Sequence, residues 1–390
     1  MTVPHPDARL LVDKLLDDAV NRRASDIHLE PTADGLEVRL RVDGLLETVD
    51  RVDAAVGRSM VTRLMVMAHL LTYRLDVPQE GRATVQVASN PRPMDLRLSI
   101  MPTTHGLRAA VRMPAELVQP HALDELGLPQ NVVDGLDRFA RADGGMLILT
   151  GPAGSGKTTT IYALLQHIAR TSPGLSIVAL EDPVERDLTG VTQIEVAPFG
   201  ELTYDRTLRS ILRQDPQVLM LGEIRDGATA SLAVQAALSG HRLVSTLHAA
   251  TPAGAIARLL EMGIEPYQLT SAIFGIVSQR LLRRLSPGLQ PQVASEDRGL
   301  KPAAWQQQQQ QQRYRGRVPV AEFVAMDDSL RRGILDRGDA GTLAKIYAQQ
   351  SGFRPMRAAA VDCIRGGITD EAEVRRVLGD EVVADGGAPG

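Results

Sequence analysis

Cysteine is almost absent. The 390-residue sequence holds one, Cys363, so no intrachain disulfide can form and a zinc site built on several thiolates is excluded. Cys363 falls in a helical pattern, where a lone cysteine serves as a small apolar residue. Lysine is nearly as rare: the 43 basic residues are 39 arginines and four lysines, Lys14, Lys157, Lys301 and Lys345. A lysine at a motif position is therefore informative. Aromatics make up 3% of the chain, and no basic stretch is interleaved with them as on single-strand nucleic-acid surfaces. The net charge of −4 also lacks the basic footprint of a nucleic-acid binder, so no nucleic-acid partner is expected. No run approaches the roughly 18 apolar residues of a membrane-spanning helix. The opening MTVPHPDARLLVDKLLDDAV has no basic stretch followed by a continuous apolar one, so a signal peptide is not expected. A cytoplasmic chain is the expectation.

What is present is an ordinary globular mixture, 44% apolar and 23% charged. At about 150 residues per domain this length suggests roughly two or three domains. Leu11, Leu15, Leu16, Ala19 and Val20 recur at helical spacing. SDIHLEP and LEVRLRVDG then read as strands joined at Ala33-Asp34-Gly35, with a second turn at Asp43-Gly44. The spacing predicts a Met/Leu-rich helix over 61–71 and short strands over 83–87, 94–100 and 107–113. A smaller α+β domain is thus expected over 1–113. Pro114, Pro120 and Pro129, set between short helical patterns, mark an interdomain linker and entry helix over 114–142.

From Gly145 onward strands and helices alternate, which predicts an α/β domain over 143–390 with a mainly parallel sheet. A low-complexity loop over 286–317 contains seven glutamines, Gln306 to Gln312. Helical patterns resume after it to about residue 379.

The segment MLILTGPAGSGKTTT fits G-x-x-x-x-G-K-[ST] from Gly151 to Thr158, after a short apolar strand and before a helix. Gly151, Gly154 and Gly156 let backbone amides turn inward around phosphate oxygens. The helix presents its positive end to the same anion. Gly151, Pro152, Ala153, Gly154, Ser155, Gly156, Lys157, Thr158 and Thr159 form the candidate ATP cradle. Lys157 would reach the β- and γ-phosphates and Thr158 would offer its hydroxyl to Mg²⁺.

Three further elements carry chemistry. The apolar strand Val218–Leu221 leads into Gly222 and Glu223, a carboxylate able to hold Mg²⁺ and help orient water. ALEDPVE places Glu181, Asp182 and Glu185 at the end of another strand as candidates for activating water. HRLVSTLHA flanks a strand with His241 and His248; either histidine fits a structural or a catalytic role.

In this order the four elements resemble the secretion ATPase superfamily of type II secretion and type IV pili. There they are called Walker A, Asp box, Walker B and His box. ASDIHLEP, RVDGLLE, PQEGR, MDLRLSIMP and THGLRAAVRMP are similar to the domain preceding the motor in GspE- and PilB-type members. LRSILRQDPQVLMLGEIRD, RGRVPVAEFVAMDDSLR and GGITDEAEVRRVL extend the likeness, which covers roughly residues 24–380. The resemblance implies a RecA-like P-loop ATPase domain preceded by a PAS-like one, assembled as a homo-hexamer. It implies roles in water activation and metal-linked stabilisation for Glu185 and Glu223. His248 and His241 would face the γ-phosphate, and Arg97 and Arg112 would act as arginine fingers, with Arg82 a third candidate. It implies peripheral attachment to the inner membrane through platform and cytoplasmic-domain proteins of the machine. The tetracysteine zinc motif of such members is replaced by the glutamine run, so no zinc site is expected. A counterpart of the extra N-terminal domain of longer members is not expected either.

The expected function is a type II secretion motor driving pseudopilin assembly. A type IV pilus extension or retraction motor is the nearest alternative. A non-hydrolysing nucleotide-binding regulator is disfavoured by Lys157, Glu185 and Glu223. A RecA-like DNA motor is disfavoured by the charge balance.

Overall fold

The computed structural model describes residues 7–114, 122–196, 202–288 and 313–380. The chain divides into two compact units, Met1–Gln119 and Pro120–Gly390.

The first unit opens with helix α1 (Ala8–Asn21), which buries Val12, Leu15, Leu16 and Ala19 on one face. Strands β1 (Asp26–Thr32), β2 (Gly35–Val42) and β3 (Leu45–Val52) follow, then helix α2 (Ala54–Met67). Strands β4 (Gln79–Val87), β5 (Asn90–Thr103) and β6 (Gly106–Arg112) complete an antiparallel sheet in the order β3-β2-β1-β6-β5-β4.

Helix α2 starts seven residues before the expected Val61 and ends at Met67 rather than Leu71. The cause is local: the Asp53 carboxylate accepts the amides of Ala55 and Val56, both at 2.9 Å, fixing the start more strongly than periodicity does. Gly57 lets α2 lie directly on β2, because a Cβ there would stand 2.6 Å from Leu36 Cβ. Met60 and Met65 are buried in this contact. Strands β4 and β5 are longer than their apolar stretches, because ladder pairing continues into polar residues such as Gln79 and Asn90, whereas β6 keeps the expected length one residue earlier.

The second unit is a seven-stranded sheet. Its strands are β7 (Gly145–Thr150), β8 (Ile177–Glu181), β9 (Thr192–Glu195), β10 (Val218–Leu221), β11 (Arg242–Leu247), β12 (Ile273–Leu285) and β13 (Tyr314–Ala325). The order is β13-β12-β7-β11-β10-β8-β9, parallel throughout except for the β12–β13 pair. The runs MLIL, IVAL and VLML are buried on both faces, as interior parallel strands must be.

Two expectations change here. The segment after the glutamine run starts as strand β13, not as a helix. Val318, Val320, Phe323 and Val324 pack into the interior, and pairing with β12 decides their conformation. The part expected as linker ahead of an entry helix contributes Leu123, Leu126 and Leu128 to the second unit's core. Helix α3 (Gln130–Ala140) adds Val132, Leu136 and Phe139. The glutamine run itself lies outside the described residues.

Helices α4 (Lys157–Thr171), α5 (Tyr204–Ile211), α6 (Gly227–Leu238), α7 (Pro252–Glu261) and α8 (Pro266–Ala272) connect the strands. After β13 come α9 (Asp328–Leu335), α10 (Ala340–Tyr347), α11 (Met356–Arg365) and α12 (Glu371–Leu378). A buried ionic lock holds α12 to β12. The fully buried Glu373 carboxylate accepts from Arg283 Nε at 2.9 Å and Nη2 at 2.8 Å, and from Arg376 Nη2 at 2.6 Å.

Candidate nucleotide site

Strand β7 ends at Thr150 and the chain turns at once into the glycine loop. Gly151, Gly154 and Gly156 have φ values of +146°, +74° and +89°, a region that L side chains avoid. Gly151 also has no room for a side chain. A Cβ there would meet Gln279 O at 2.5 Å and Ser155 Oγ at 2.6 Å. Helix α4 starts at Lys157, so its first amides open onto the loop.

The Lys157 ammonium lies inside the loop. It donates to the carbonyls of Gly151 at 2.8 Å and Pro152 at 3.0 Å. Burial lowers its pKa, Glu223 pushes it back up and Arg280 adds to the lowering. Ser155 Oγ is buried in the same loop without a hydrogen-bond partner. A buried unpaired hydroxyl is costly, and a bound phosphate oxygen would supply its partner.

Glu223 follows β10 and is aimed by β11. Thr246 Oγ1 donates to Gly222 O at 2.7 Å, and Ile224 N donates to Thr246 O at 3.1 Å. This stitching brings His248 Nε2 to 3.0 Å from Glu223 Oε1. Arg225 spans the two carboxylate elements, with Nε 3.0 Å from Glu223 Oε2 and Nη1 3.4 Å from Asp182 Oδ2. Lys157, Glu223 and His248 thus meet at the carboxyl ends of parallel strands, where open α/β sheets bind ligands.

The carboxylates after β8 divide in role. Glu181 is buried and its pKa is raised by that burial. Tyr162 hydroxyl donates to Glu181 Oε2, and Gln193 Nε2 donates to Glu181 Oε1 at 2.8 Å. Tyr162 hydroxyl also accepts the amide of Glu185 at 3.3 Å. Glu181 is therefore a fixed anchor, and the half-buried Glu185 is held beside it by backbone.

His241 is not brought to this group. It precedes β11 while His248 follows it, and the six extended residues between them hold the two roughly 23 Å apart. His241 Nδ1 lies 2.9 Å from Ala236 O and 3.0 Å from Ser239 Oγ, and its carbonyl accepts from Gly145 N at the opening of β7. It closes the opposite end of the sheet. Its assignment to the phosphate side is corrected, because strand direction puts it at the opposite end of the sheet.

Arg97 and Arg112 belong to the first unit, where they are directly opposed across β5 and β6. Arg82 opposes Arg97, and Asp26 opposes Arg112. Three arginines and an aspartate therefore form one row on one face. Like charges placed directly opposite are destabilising, and the sheet retains them.

Sequence reasoning missed Gln279. Its buried side chain donates to Ser155 O at 3.0 Å and accepts from Thr160 Oγ1 at 2.9 Å, bracing loop and helix from β12. Nothing in the local pattern of β12 signals this.

The family model for type II/IV secretion system proteins matches residues 5–376. The type II secretion system protein HxcR of Pseudomonas aeruginosa is 40% identical over 95% of this chain and 77% of its own. The type II secretion system ATPase E of Vibrio cholerae is 37% identical over 94% of this chain and 74% of its own. The chain belongs to the type II/IV secretion system protein family. Within it, the chain is a secretion ATPase. In fold it is similar to the Legionella pneumophila ATPase DotB, with TM-score 0.69 and 20% identity over 97% and 96% of the two chains. The pilus retraction motor PilT, solved with ADP, gives TM-score 0.62 and 23% identity over 93% and 96%. Among the described residues of this secretion ATPase, no helix is long and apolar enough to cross a membrane.

Proposed function

We propose that this secretion ATPase hydrolyses Mg·ATP to drive pseudopilin assembly in type II secretion. The meeting of Lys157, Glu223 and His248 around a loop with an unsatisfied Ser155 hydroxyl carries the reading. Relatives at 34–40% identity are named type II secretion proteins, which favours that system over a pilus motor.

Mg²⁺ suits the donors present. Thr158 and Glu223 offer hard oxygens, and the described residues contain no cluster of three or more ligating side chains. Such a site fits a cation that shares its shell with phosphate and water. The cation would offset charge on the transferring phosphoryl group. Lys157 neutralises phosphate oxygens. Glu185 and Glu223 orient the attacking water and receive its proton, and His248 holds the Glu223 carboxylate in place. Arg97 and Arg112 supply fork-shaped donors to the spread negative charge, as arginine fingers worth about 10³ or more in rate do.

The first unit is the PAS-like domain, and the working assembly is a hexamer attached to the inner membrane through its platform partner. The experiment is Lys157→Ala in the full chain. Nucleotide binding and turnover are expected to fall to background; wild-type turnover would overturn the reading.

A further inference from the structure

A second cation of the second unit lies against the glycine loop. Arg280 follows Gln279 at the point where β12 passes the end of β7. Its Nη1 donates to Gln279 O at 2.9 Å and its Nη2 to Ala250 O at 2.8 Å. A Cβ on Gly151 would stand 3.1 Å from Nη1, so the guanidinium faces the first residue of the loop. Ala250 lies two residues beyond His248. Arg280 therefore stands between the loop and the segment carrying His248.

Its charge is poorly matched by the protein. No carboxylate among the described residues lies within the 4.0 Å ion-pair limit of its nitrogens. Burial lowers its pKa, and Glu322 opposes that from beyond ion-pair distance. Glu322 is itself tied to the Met356 amide at 2.9 Å. Arg280 also depresses the Lys157 ammonium, so two cations repel each other beside the loop. Of the five guanidinium N–H donors, three have no protein acceptor among the described residues. A half-buried guanidinium with spare donors and no carboxylate is suited to an incoming oxyanion.

We propose that Arg280 binds the phosphates of the nucleotide within its own chain, as a second cation beside Lys157. The inference rests on the nucleotide reading of the same loop. Arriving phosphate would relieve the repulsion between the two cations and use the free donors. The bonds to Gln279 and Ala250 would hold the fork in place, so little side-chain freedom is lost on binding.

Calorimetric titration of the full chain with ADP and with AMP, in EDTA to remove Mg²⁺, tests this. Arg280→Ala is expected to weaken ADP binding about tenfold or more, the range for a hydrogen bond to a charged group. AMP binding should weaken less, and Arg280→Lys should restore part of the ADP affinity. Equal ADP affinity in wild type and Arg280→Ala would overturn the proposal, as would a fall in kcat alone. The latter would assign Arg280 only to bracing the His248 segment. If Arg280→Ala does not fold, Arg280→Lys and Arg280→Gln decide by the same comparison. Failure of the wild type to bind ADP would overturn the nucleotide reading as well, whereas binding that is lost in Lys157→Ala and unchanged in Arg280→Ala would overturn this proposal alone.

Discussion

Single residues in this chain divide into those whose role follows from local spacing and those placed by strand direction. Lys157 belongs to the first group: the loop that encloses it is eight consecutive residues. The two histidines belong to the second. They flank the same strand, yet one meets Glu223 at 3.0 Å and the other bonds Ala236 O at the opposite end of the sheet. His248→Ala is expected to lower kcat by at least about tenfold, through loss of an oriented polar group at the reacting end. His241→Ala is expected to leave kcat near the wild-type value and to cost about 1 kcal/mol of stability from its lost hydrogen bonds. Steady-state turnover and thermal melts on both variants separate the two roles. A large kcat loss in His241→Ala would contradict the placement.

Elements show how glycine and buried charge set packing. Phe323 of β13 fits between α3 and β12 because Gly135 and Gly275 leave it room; a Cβ at either would stand 2.6–2.7 Å from the ring. The lock between β12 and α12 is electrostatic. Burial alone would raise the Glu373 pKa, but hydrogen bonds from Arg376 and Arg283 outweigh it and hold the value below the ordinary 4.5. A carboxylate with a depressed native pKa contributes stability that is complete above its unfolded value. That contribution is lost as pH falls through the native value. Wild-type stability should therefore drop below about pH 4.5 by an increment that Glu373→Gln lacks, as urea midpoints across pH would reveal. Glu373→Ala at neutral pH should cost about 3–5 kcal/mol, because Arg283 is left buried and uncompensated. A loss under about 1 kcal/mol would show that the lock contributes little.

At the scale of the whole molecule, the proposed hexamer makes activity a function of concentration. Turnover per chain should rise with protein concentration and level off as a species of six copies dominates by native mass spectrometry. Constant turnover per chain across that range, with a monomer throughout, would remove the oligomer from the mechanism.

The sequence by itself determined the nucleotide loop, the acidic strand ends and the alternation that makes an α/β unit. These depend on near neighbours: inward-turning amides, a helix start and apolar runs are local properties of the chain. Tertiary structure decided the rest. Strand β13 reads ambiguously until β12 pairs with it. Leu123, Leu126 and Leu128 read as linker until a core receives them. Gln279 meets Ser155 and Thr160 across 124 and 119 residues, and Arg280 reaches Ala250 across 30. Hydrogen bonds of such separation depend on how the strands are ordered in the sheet, which no local spacing encodes.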